Sequence, residues 1–281
     1  MSANSSFSAD VVAIERTNAL THPVLLVGAG PGDPGLLTLH ALTAIQNAEV
    51  ILVDALVSEP IRELIPTAVE VIEVGKRCGK HSMDQRQIEH IMVAKALSGA
   101  KVVRLKGGDA MMFARVGEEM LALKKAGLSY RVVPGVTAAS AASAYGAMPM
   151  THRDVAQGVT LITGHGKQGT IADWQPYVIS GHTLVIYMGL KQVSHIEQGL
   201  LAAGMAPTMP VAIVGQASQV GQQRLTATLA ELSELANQPN LPTPAAIIVG
   251  EVVQFSESLD WFEPTQAQLA SLGANADKLA M

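Results

Sequence analysis

Short apolar runs alternate with segments of helical periodicity along most of this chain. In the first half, short runs rich in apolar residues predict β-strands at positions 24–27, 50–53, 69–74, 101–105 and 130–133. Between them, apolar residues at helical spacing predict helices at 36–46, 82–99, 116–126 and 137–145. Ser82 and Gln85 form a candidate capping box at the start of the second helix.

The same alternation starts again after Pro149. Strands are predicted at 159–163, 183–187, 211–214 and 245–249, and helices at 192–203 and 228–236. Strands that alternate with helices indicate parallel sheets with helices on their faces. The fold class is therefore α/β with two α/β domains. The predicted division is a loose arm at 1–21, an N-terminal domain at 22–148, a C-terminal domain at 149–262 and a tail at 263–281.

Glycines and ionisable residues follow the predicted strands of the first half. Open parallel sheets bind ligands at the carboxyl ends of their strands. The residues at these strand ends are the segment 28–34, Asp54, Gly75 and Lys76, Gly107 to Asp109, and Pro134 and Gly135. We predict that they converge on one edge of the sheet.

Composition limits the kinds of protein that this chain can be. Of 281 residues, 48% are hydrophobic, 15% charged and 4% aromatic, which predicts a folded, aliphatic core. The one cysteine, Cys78, excludes a disulfide or a cysteine-based zinc site within the chain and is expected to be a packing residue. We see no signal peptide and no stretch near the roughly 18 apolar residues of a membrane helix, so we expect a cytoplasmic protein without a membrane partner.

The distribution of charge is more informative than its sum. A net charge of -5 argues against a nucleic-acid partner. Residues 71–131 nevertheless contain 12 of the 19 Lys and Arg residues, against six Asp and Glu. A basic segment on an acidic protein suits a polyanionic small molecule in one cleft, although a solvated helix face would give the same counts.

The first candidate binding motif is GAGPGDPGLLTL at 28–39. A dinucleotide-binding loop requires G-x-G-x-x-G, whereas Asp33 occupies the sixth position and would repel a pyrophosphate. NAD and FAD are therefore disfavoured. A Gly/Pro-rich turn against a cationic or zwitterionic ligand and a tight turn without a ligand both remain open.

The second candidate motif is RLKGGDAMMFARVGEE at 104–119. Its two glycines would let a ligand approach the backbone, Asp109 could bind an amino or hydroxyl group, and Arg115 could clamp a carboxylate. A simple turn at the glycines explains the pattern equally well. Glu118 and Glu119 are expected to face solvent.

Two further sets of polar side chains are candidates for chemistry. Asp54 and Lys76, each at a predicted strand end, could act across a cleft as proton acceptor and donor, although a structural ion pair also fits. His152 and His165 lie 13 positions apart, without an HExxH pattern or a cysteine partner, so we expect no metal site.

In this order and at this spacing, the motifs resemble those of the uroporphyrinogen-III C-methyltransferases, which are tetrapyrrole methylases. The resemblance extends over about 22–262. It rests on GAGPGDPGLLTL, DALVS (54–58), VGKRCGKHS (74–82), RLKGGD (104–109), VVPGVTAAS (132–140), MTHRDVAQGVTLITGHGK (150–167), TLVIYMGL (183–190) and PAAIIVGEVV (244–253). It implies homodimers of two α/β domains, with S-adenosylmethionine in the cleft between the domains and uroporphyrinogen III as substrate.

The resemblance also implies roles for individual residues. Asp54 would be the proton acceptor, Lys76 the proton donor and Arg115 a residue that holds substrate. Two successive methyl transfers would give precorrin-2 and two molecules of S-adenosylhomocysteine, without a metal. The cofactor site would be lined by Pro31, Gly107, Gly108, Asp109, Met112, Thr137, Ala138, Met188 and Ala217.

The loop around Arg115 departs from the family pattern. The family reads GGDP, a bulky pair and then FGRGGEE, whereas Ala110 replaces the proline here, and Ala114 and Val116 replace the glycines beside the arginine. These changes alter the stiffness of the loop and put substrate positioning and the role of Met112 in question.

Three other functions remain open at this point. One is a methylase of the same fold that acts on a later corrin intermediate, on diphthine or on ribosomal RNA. Another is an NAD-dependent oxidoreductase, which Asp33 disfavours. The third is an S-adenosylmethionine-binding module with impaired catalysis, which the changes around Arg115 suggest. Siroheme, cobalamin and haem d1 are equally compatible end products.

Overall fold

The computed structural model describes residues 22–75, 83–165 and 173–263, which form two five-stranded sheets that follow one another along the chain. The first sheet has the strand order β3-β2-β4-β1-β5, and every neighbouring pair is parallel, as the alternation predicted. Its strands are β1 (Val24–Gly28), β2 (Val50–Val53), β3 (Glu70–Glu73), β4 (Val102–Lys106) and β5 (Tyr130–Val133).

The helices of the first half lie close to their predicted positions. They are α1 (Leu39–Gln46), α2 (Glu59–Arg62), α3 (Gln85–Leu97), α4 (Val116–Lys125) and α5 (Ala138–Tyr145). The short helix α2 was not predicted. The helix predicted at 36–46 is divided, because a 3-10 turn at Pro34–Leu36 precedes α1.

The capping box of α3 lies two residues beyond the predicted one. Asp84 Oδ1 accepts a hydrogen bond from the Gln87 N–H at 2.9 Å, and Gln87 Oε1 accepts one from the Asp84 N–H at 2.8 Å. Gln85 is the first residue of the helix, and Ser82 lies outside the described residues. An acidic residue three positions before a glutamine makes the same reciprocal cap as serine would.

The second sheet is mostly antiparallel, which corrects the parallel arrangement predicted for this half. The strand order is β6-β7-β10-β8-β9, with β6 and β7 parallel and the other pairs antiparallel. Its strands are β6 (Val159–Thr163), β7 (Thr183–Tyr187), β8 (Pro210–Gly215), β9 (Gln223–Thr228) and β10 (Ala245–Val249). The loop 216–222 joins β8 directly to β9, since antiparallel neighbours need no helical crossover.

The helices of the second half are α6 (Gln175–Ile179), α7 (Val193–Ala202) and α8 (Leu232–Ala236). The prediction for 192–203 corresponds to α7. The prediction for 228–236 corresponds to a 3-10 turn at Leu229–Glu231 followed by α8. The short helix α6 was not predicted.

Helix α5 connects the two sheets. It follows β5 of the first sheet, but Ala139 and Ala142 belong to an apolar core that includes Val185, Ala212 and Ile248 of the second sheet. The start of α5 therefore stands at the carboxyl edge of the first sheet while its length packs against the second. This packing brings the carboxyl edge of the first sheet close to the second sheet, and a cleft lies between them.

Three glycines make a close backbone contact at the carboxyl edge of the first sheet. A Cβ atom on Gly28 would lie 2.7 Å from the backbone N of Gly135, and a Cβ atom on Gly135 would lie 2.6 Å from the carbonyl oxygen of Gly108. Side chains larger than hydrogen therefore cannot be placed there without moving the main chain.

Replacing Gly135 by alanine is expected to lower the free energy of unfolding by about 1–3 kcal/mol, because the added methyl meets backbone atoms that cannot rotate away. Gly117 is the matched control, since it is an exposed position in α4 where a Cβ meets no atom within 4 Å. Gly117→Ala should leave the free energy unchanged or raise it by up to ~1 kcal/mol. Urea unfolding measures both, and a Gly135→Ala protein as stable as the wild type would contradict the close packing.

Candidate functional site

A cleft opens between the carboxyl edge of the first sheet and the second sheet. The loops after β1, β2 and β4 and the start of α5 form one wall, and the ends of β7 and β8 with the start of β10 form the other. Asp54 lies along this cleft. All the residues predicted to contact the cofactor also lie along it: Pro31, Gly107, Gly108, Asp109, Met112, Thr137, Ala138, Met188 and Ala217.

Hydrogen bonds join the two halves of the chain at this cleft. Gln219 Nε2 donates to the carbonyl oxygen of Pro31 at 2.9 Å. Tyr187 Oη lies 2.7 Å from Thr137 Oγ1 and accepts from the Ala139 N–H at 3.0 Å. The sequence interpretation missed Gln219 and Tyr187. The available signal for Tyr187 was its place at the end of a strand, directly before Met188.

Several cleft residues have a left-handed backbone without being glycine. The φ angles are 52° at Phe113, 54° at Met188 and 47° at Gln216, and all three residues line the cleft. Such angles cost energy in residues with a side chain and are found where the surroundings fix the backbone. The ring of Phe113 packs against Tyr187 with a centroid distance of 4.8 Å.

Asp109 uses both carboxylate oxygens to join loops of the first sheet. Oδ1 accepts from the Met111 N–H and Oδ2 accepts from the Gly135 N–H, both at 2.8 Å. The carboxylate thus fastens the loop after β4 to the loop after β5. Its predicted contact with a cofactor is compatible with this arrangement and stays a prediction.

A buried charge network lies beneath the cleft. Arg104 and Lys106 are neighbours on the same face of β4, and their side chains are only 2% and 3% exposed. Glu119 Oε1 accepts from Arg104 Nε at 3.0 Å and from Lys106 Nζ at 2.9 Å. The Glu119 side chain is 0% exposed, so the prediction that it faces solvent was wrong. It shares the inner face of α4 with the buried Val116 and Leu123, three and four positions away.

Asp54 joins this network from the end of β2. Its Oδ2 accepts from Arg104 Nη2 at 3.1 Å, its Oδ1 accepts from the Ala55 N–H at 3.1 Å, and the side chain is 33% exposed. Lys76, the predicted partner of Asp54, lies outside the described residues.

The position of Lys106 lowers its pKa. Burial lowers the pKa of Lys106, and the charge of Arg104 acts in the same direction, whereas the charge and hydrogen bond of Glu119 oppose this shift. Glu119, and to a smaller extent Asp54, therefore favour the protonated form of this buried lysine.

Arg115, the third predicted catalytic residue, lies outside the cleft lining. Its Nε and Nη2 donate to the two carboxylate oxygens of Glu118 at 2.8 and 2.7 Å, and the side chain is 59% exposed. This pairing raises the pKa of Arg115 and lowers the pKa of Glu118. The arginine already binds a carboxylate with both nitrogens, but its role toward substrate stays a prediction.

The local excess of basic residues is only partly available to a ligand. Arg104 and Lys106 are buried and paired, and Lys95 contacts Glu70 at 2.6 Å. Three more basic residues fall within 76–82, outside the described part of the chain.

Among the described residues, no group of three or more His, Cys, Asp or Glu side chains could hold a metal ion. His152 Nδ1 accepts from the Asp154 N–H at 3.2 Å, and its ring packs against Phe255 at 4.6 Å. No helix in the described ranges is long and apolar enough to cross a membrane.

Comparison with known proteins identifies related sequences. A family profile of the tetrapyrrole (corrin/porphyrin) methylases matches residues 23–233. Siroheme synthase 1 of Yersinia enterocolitica is 48% identical over 252 residues, which are 89% of this chain and 53% of the relative. A siroheme synthase of Escherichia coli is 50% identical over 239 residues, which are 85% of this chain and 52% of the relative. The chain thus spans about half the length of these relatives.

Solved structures share the fold. A uroporphyrin-III C-methyl transferase of Thermus thermophilus, complexed with S-adenyl homocysteine, is 38% identical with a TM-score of 0.72, over 83% of this chain and 94% of the other. A cobalt precorrin-4 methyltransferase is 25% identical with a TM-score of 0.75, over 84% and 97% of the two chains.

Replacing Asp109 by asparagine should lower the free energy of unfolding by about 1–3 kcal/mol. The Met111 and Gly135 N–H groups now donate to the two oxygens of Asp109. In either orientation of the asparagine amide, one of these N–H groups would face the amide nitrogen, which is itself a donor. Asp173→Asn is the matched control, because Asp173 accepts from the Gln175 N–H through a single oxygen that asparagine retains. The control should change the free energy by less than ~0.5 kcal/mol. Urea unfolding of both variants measures this, and equal losses would contradict the two-loop role of Asp109.

Proposed function

Because the chain belongs to the tetrapyrrole (corrin/porphyrin) methylases, we propose that it transfers two methyl groups in succession from S-adenosylmethionine to uroporphyrinogen III, giving precorrin-2. Support for this substrate comes from the related uroporphyrin-III C-methyl transferase and siroheme synthases, which are closer in sequence than the precorrin-4 enzyme. The proposal concerns methyl transfer alone, whatever further activities the longer relatives have.

The observation that carries this proposal is the composition of the cleft. Gly107, Gly108 and Ala138 expose the main chain to a ligand, and Met112 and Met188 offer an apolar surface for the adenosine part of the cofactor. A Cβ atom on Gly107 would lie 2.8 Å from the Leu56 side chain, so the glycine keeps this wall open. The partly exposed carboxylate of Asp54 suits a ligand with a positive charge. These residues fit S-adenosylmethionine.

S-adenosylmethionine, when bound, supplies an electrophilic methyl group on a sulfonium sulfur. The cleft residues bind and orient the reactants, and positioning of this kind can contribute on the order of 7–11 kcal/mol to lowering a barrier. A methylated pyrrole ring must afterwards lose a proton. In this proposal the Asp54 carboxylate, which is partly exposed and lines the cleft, accepts it.

The substrate carries eight carboxylates, so its binding requires cations near the cleft. We infer that Arg115 binds one of these carboxylates by releasing Glu118, which it now holds with the same two nitrogens. Exchange of one carboxylate for another preserves the charge pairing at Arg115.

The substitutions around Arg115 give no steric reason to expect an impaired cofactor-binding module. The left-handed residues of this loop are Phe113 and Arg115, and neither Ala114 nor Val116 has a positive φ. Val116 is 4% exposed and packs in the core beneath α4. The side chains that replace the family glycines are therefore accommodated at their own positions.

An anaerobic assay tests the function directly. Purified protein is incubated with uroporphyrinogen III and methyl-labelled S-adenosylmethionine, and the products are analysed by mass. Gain of two methyl groups supports the proposal. Cofactor binding without methylation would instead favour another tetrapyrrole substrate or the impaired module.

The remaining parts of the proposal concern the assembly and its setting. They are a homodimer, a cytoplasmic location without nucleic-acid or membrane partners, and a boundary between the two domains after residue 148. Light scattering during size-exclusion chromatography should give twice the mass of one chain, and a mass of one chain would contradict the dimer.

Replacing Asp54 by asparagine should reduce kcat for methyl transfer by roughly 10²–10⁴-fold, because the amide cannot accept the proton. Cofactor affinity, measured by calorimetry, should fall by less than about tenfold, because one partly exposed charge contributes on the order of 1 kcal/mol or less. Glu70→Gln is the control, because Glu70 is an exposed carboxylate on β3 of the same sheet as Asp54. It pairs with Lys95 of α3. Full turnover by Asp54→Asn would show that another group accepts the proton.

A further inference from the structure

The Asp54 carboxylate is held by a guanidinium group that has almost no freedom to move. Arg104 donates to Asp54 through Nη2, to Glu119 through Nε, and to the carbonyl oxygens of Leu52 and Leu105 through Nη1, at 3.1, 3.0, 3.3 and 3.2 Å. Its side chain is 2% exposed. The position of Arg104 therefore determines where one oxygen of Asp54 can lie.

Glu119 determines the charge balance of this arrangement. It is fully buried, and one of its oxygens accepts from both Arg104 and Lys106. Its carboxylate and that of Asp54 together match the two buried cations. A buried cation that loses its counter-charge is strongly destabilised and attracts any remaining carboxylate.

We propose that Glu119 is a positioning residue for Asp54: by pairing with Arg104 and Lys106, it keeps these two cations from drawing the Asp54 carboxylate out of the cleft. The inference rests on the proposed function in giving Asp54 its role in methyl transfer. Of the described residues, Asp54 is the other carboxylate in contact with Arg104.

The same arrangement controls the charge at the floor of the cleft. Lys106 lines the cleft as well as contacting Glu119. Without Glu119, the buried cations would exceed the carboxylates beneath a site that binds a sulfonium cation. The burial that lowers the pKa of Lys106 is opposed by Glu119, in agreement with this balance.

The two possible roles of Glu119, structural or positioning, predict different energetic coupling between Glu119 and Asp54 in turnover. A structural residue would reduce turnover by the same factor whether or not Asp54 is present. A residue that acts through Asp54 loses its influence once Asp54 is replaced, because effects of residues that work as a unit are not additive. A double-mutant cycle separates the two.

The experiment measures methyl transfer to uroporphyrinogen III by the wild type, Glu119→Gln, Asp54→Asn and the double variant, with Glu70→Gln as control. Glu119→Gln is expected to reduce kcat by roughly tenfold or more, and to reduce cofactor affinity by a smaller factor. In the Asp54→Asn background, the same change should reduce kcat by less than about twofold. Equal reductions in both backgrounds, or no reduction by Glu119→Gln, would overturn the inference.

A structural measurement keeps the inference testable if the wild type does not methylate uroporphyrinogen III, in which case the proposed function fails. A crystal structure of Glu119→Gln is expected to show the Asp54 carboxylate displaced from the cleft. An unchanged Asp54 would overturn the inference whatever the activity. If Glu119→Gln does not fold, Glu119→Asp is used in the same measurements, because it keeps the charge but cannot reach both cations.

Discussion

The close contact of main-chain segments at the carboxyl edge of the first sheet determines where the cleft can form. Gly28 at the end of β1 and the loops that contain Gly108 and Gly135 meet with no room for a side chain. Gly30 and Gly108 also exchange two backbone hydrogen bonds, at 3.0 and 2.7 Å. Because these segments are held backbone to backbone, a ligand in the cleft would lie against main chain. Asp109 adds two side-chain hydrogen bonds, to the Met111 and Gly135 N–H groups.

A net positive charge at the base of the cleft would repel a cationic ligand. β4 brings two basic side chains to the strand end, where parallel sheets concentrate their ligand contacts. Glu119 on α4 contacts both of them, and Asp54, which lines the cleft, contacts Arg104. The network therefore presents a carboxylate to the ligand and keeps its cations buried.

The sequence predicted the first sheet more accurately than the second for a physical reason. Each strand of the first sheet contains at least two consecutive apolar residues, and each was identified, although β4 also carries the buried Arg104 and Lys106. Periodicity does not encode strand direction, so the antiparallel pairs of the second sheet were missed. β9 reads QRLTAT and is partly buried, so it has no apolar run to detect. Glu119 was missed because its partners lie on another element, and only the fold brings α4 against β4.

The two halves of the chain contribute different chemistry to the cleft. Asp54, Lys106 and Asp109 come from the first half, whereas the cleft residues of the second half are uncharged within the described ranges. In the proposed reaction, proton transfer and charge balance would therefore depend on the first sheet, and the second sheet would add uncharged contacts with the cofactor. Tyr187 couples them, because its hydroxyl holds the start of α5 while Met188, the next residue, lines the cleft. A change in the packing of Tyr187 would thus displace the binding surface without altering any charged group.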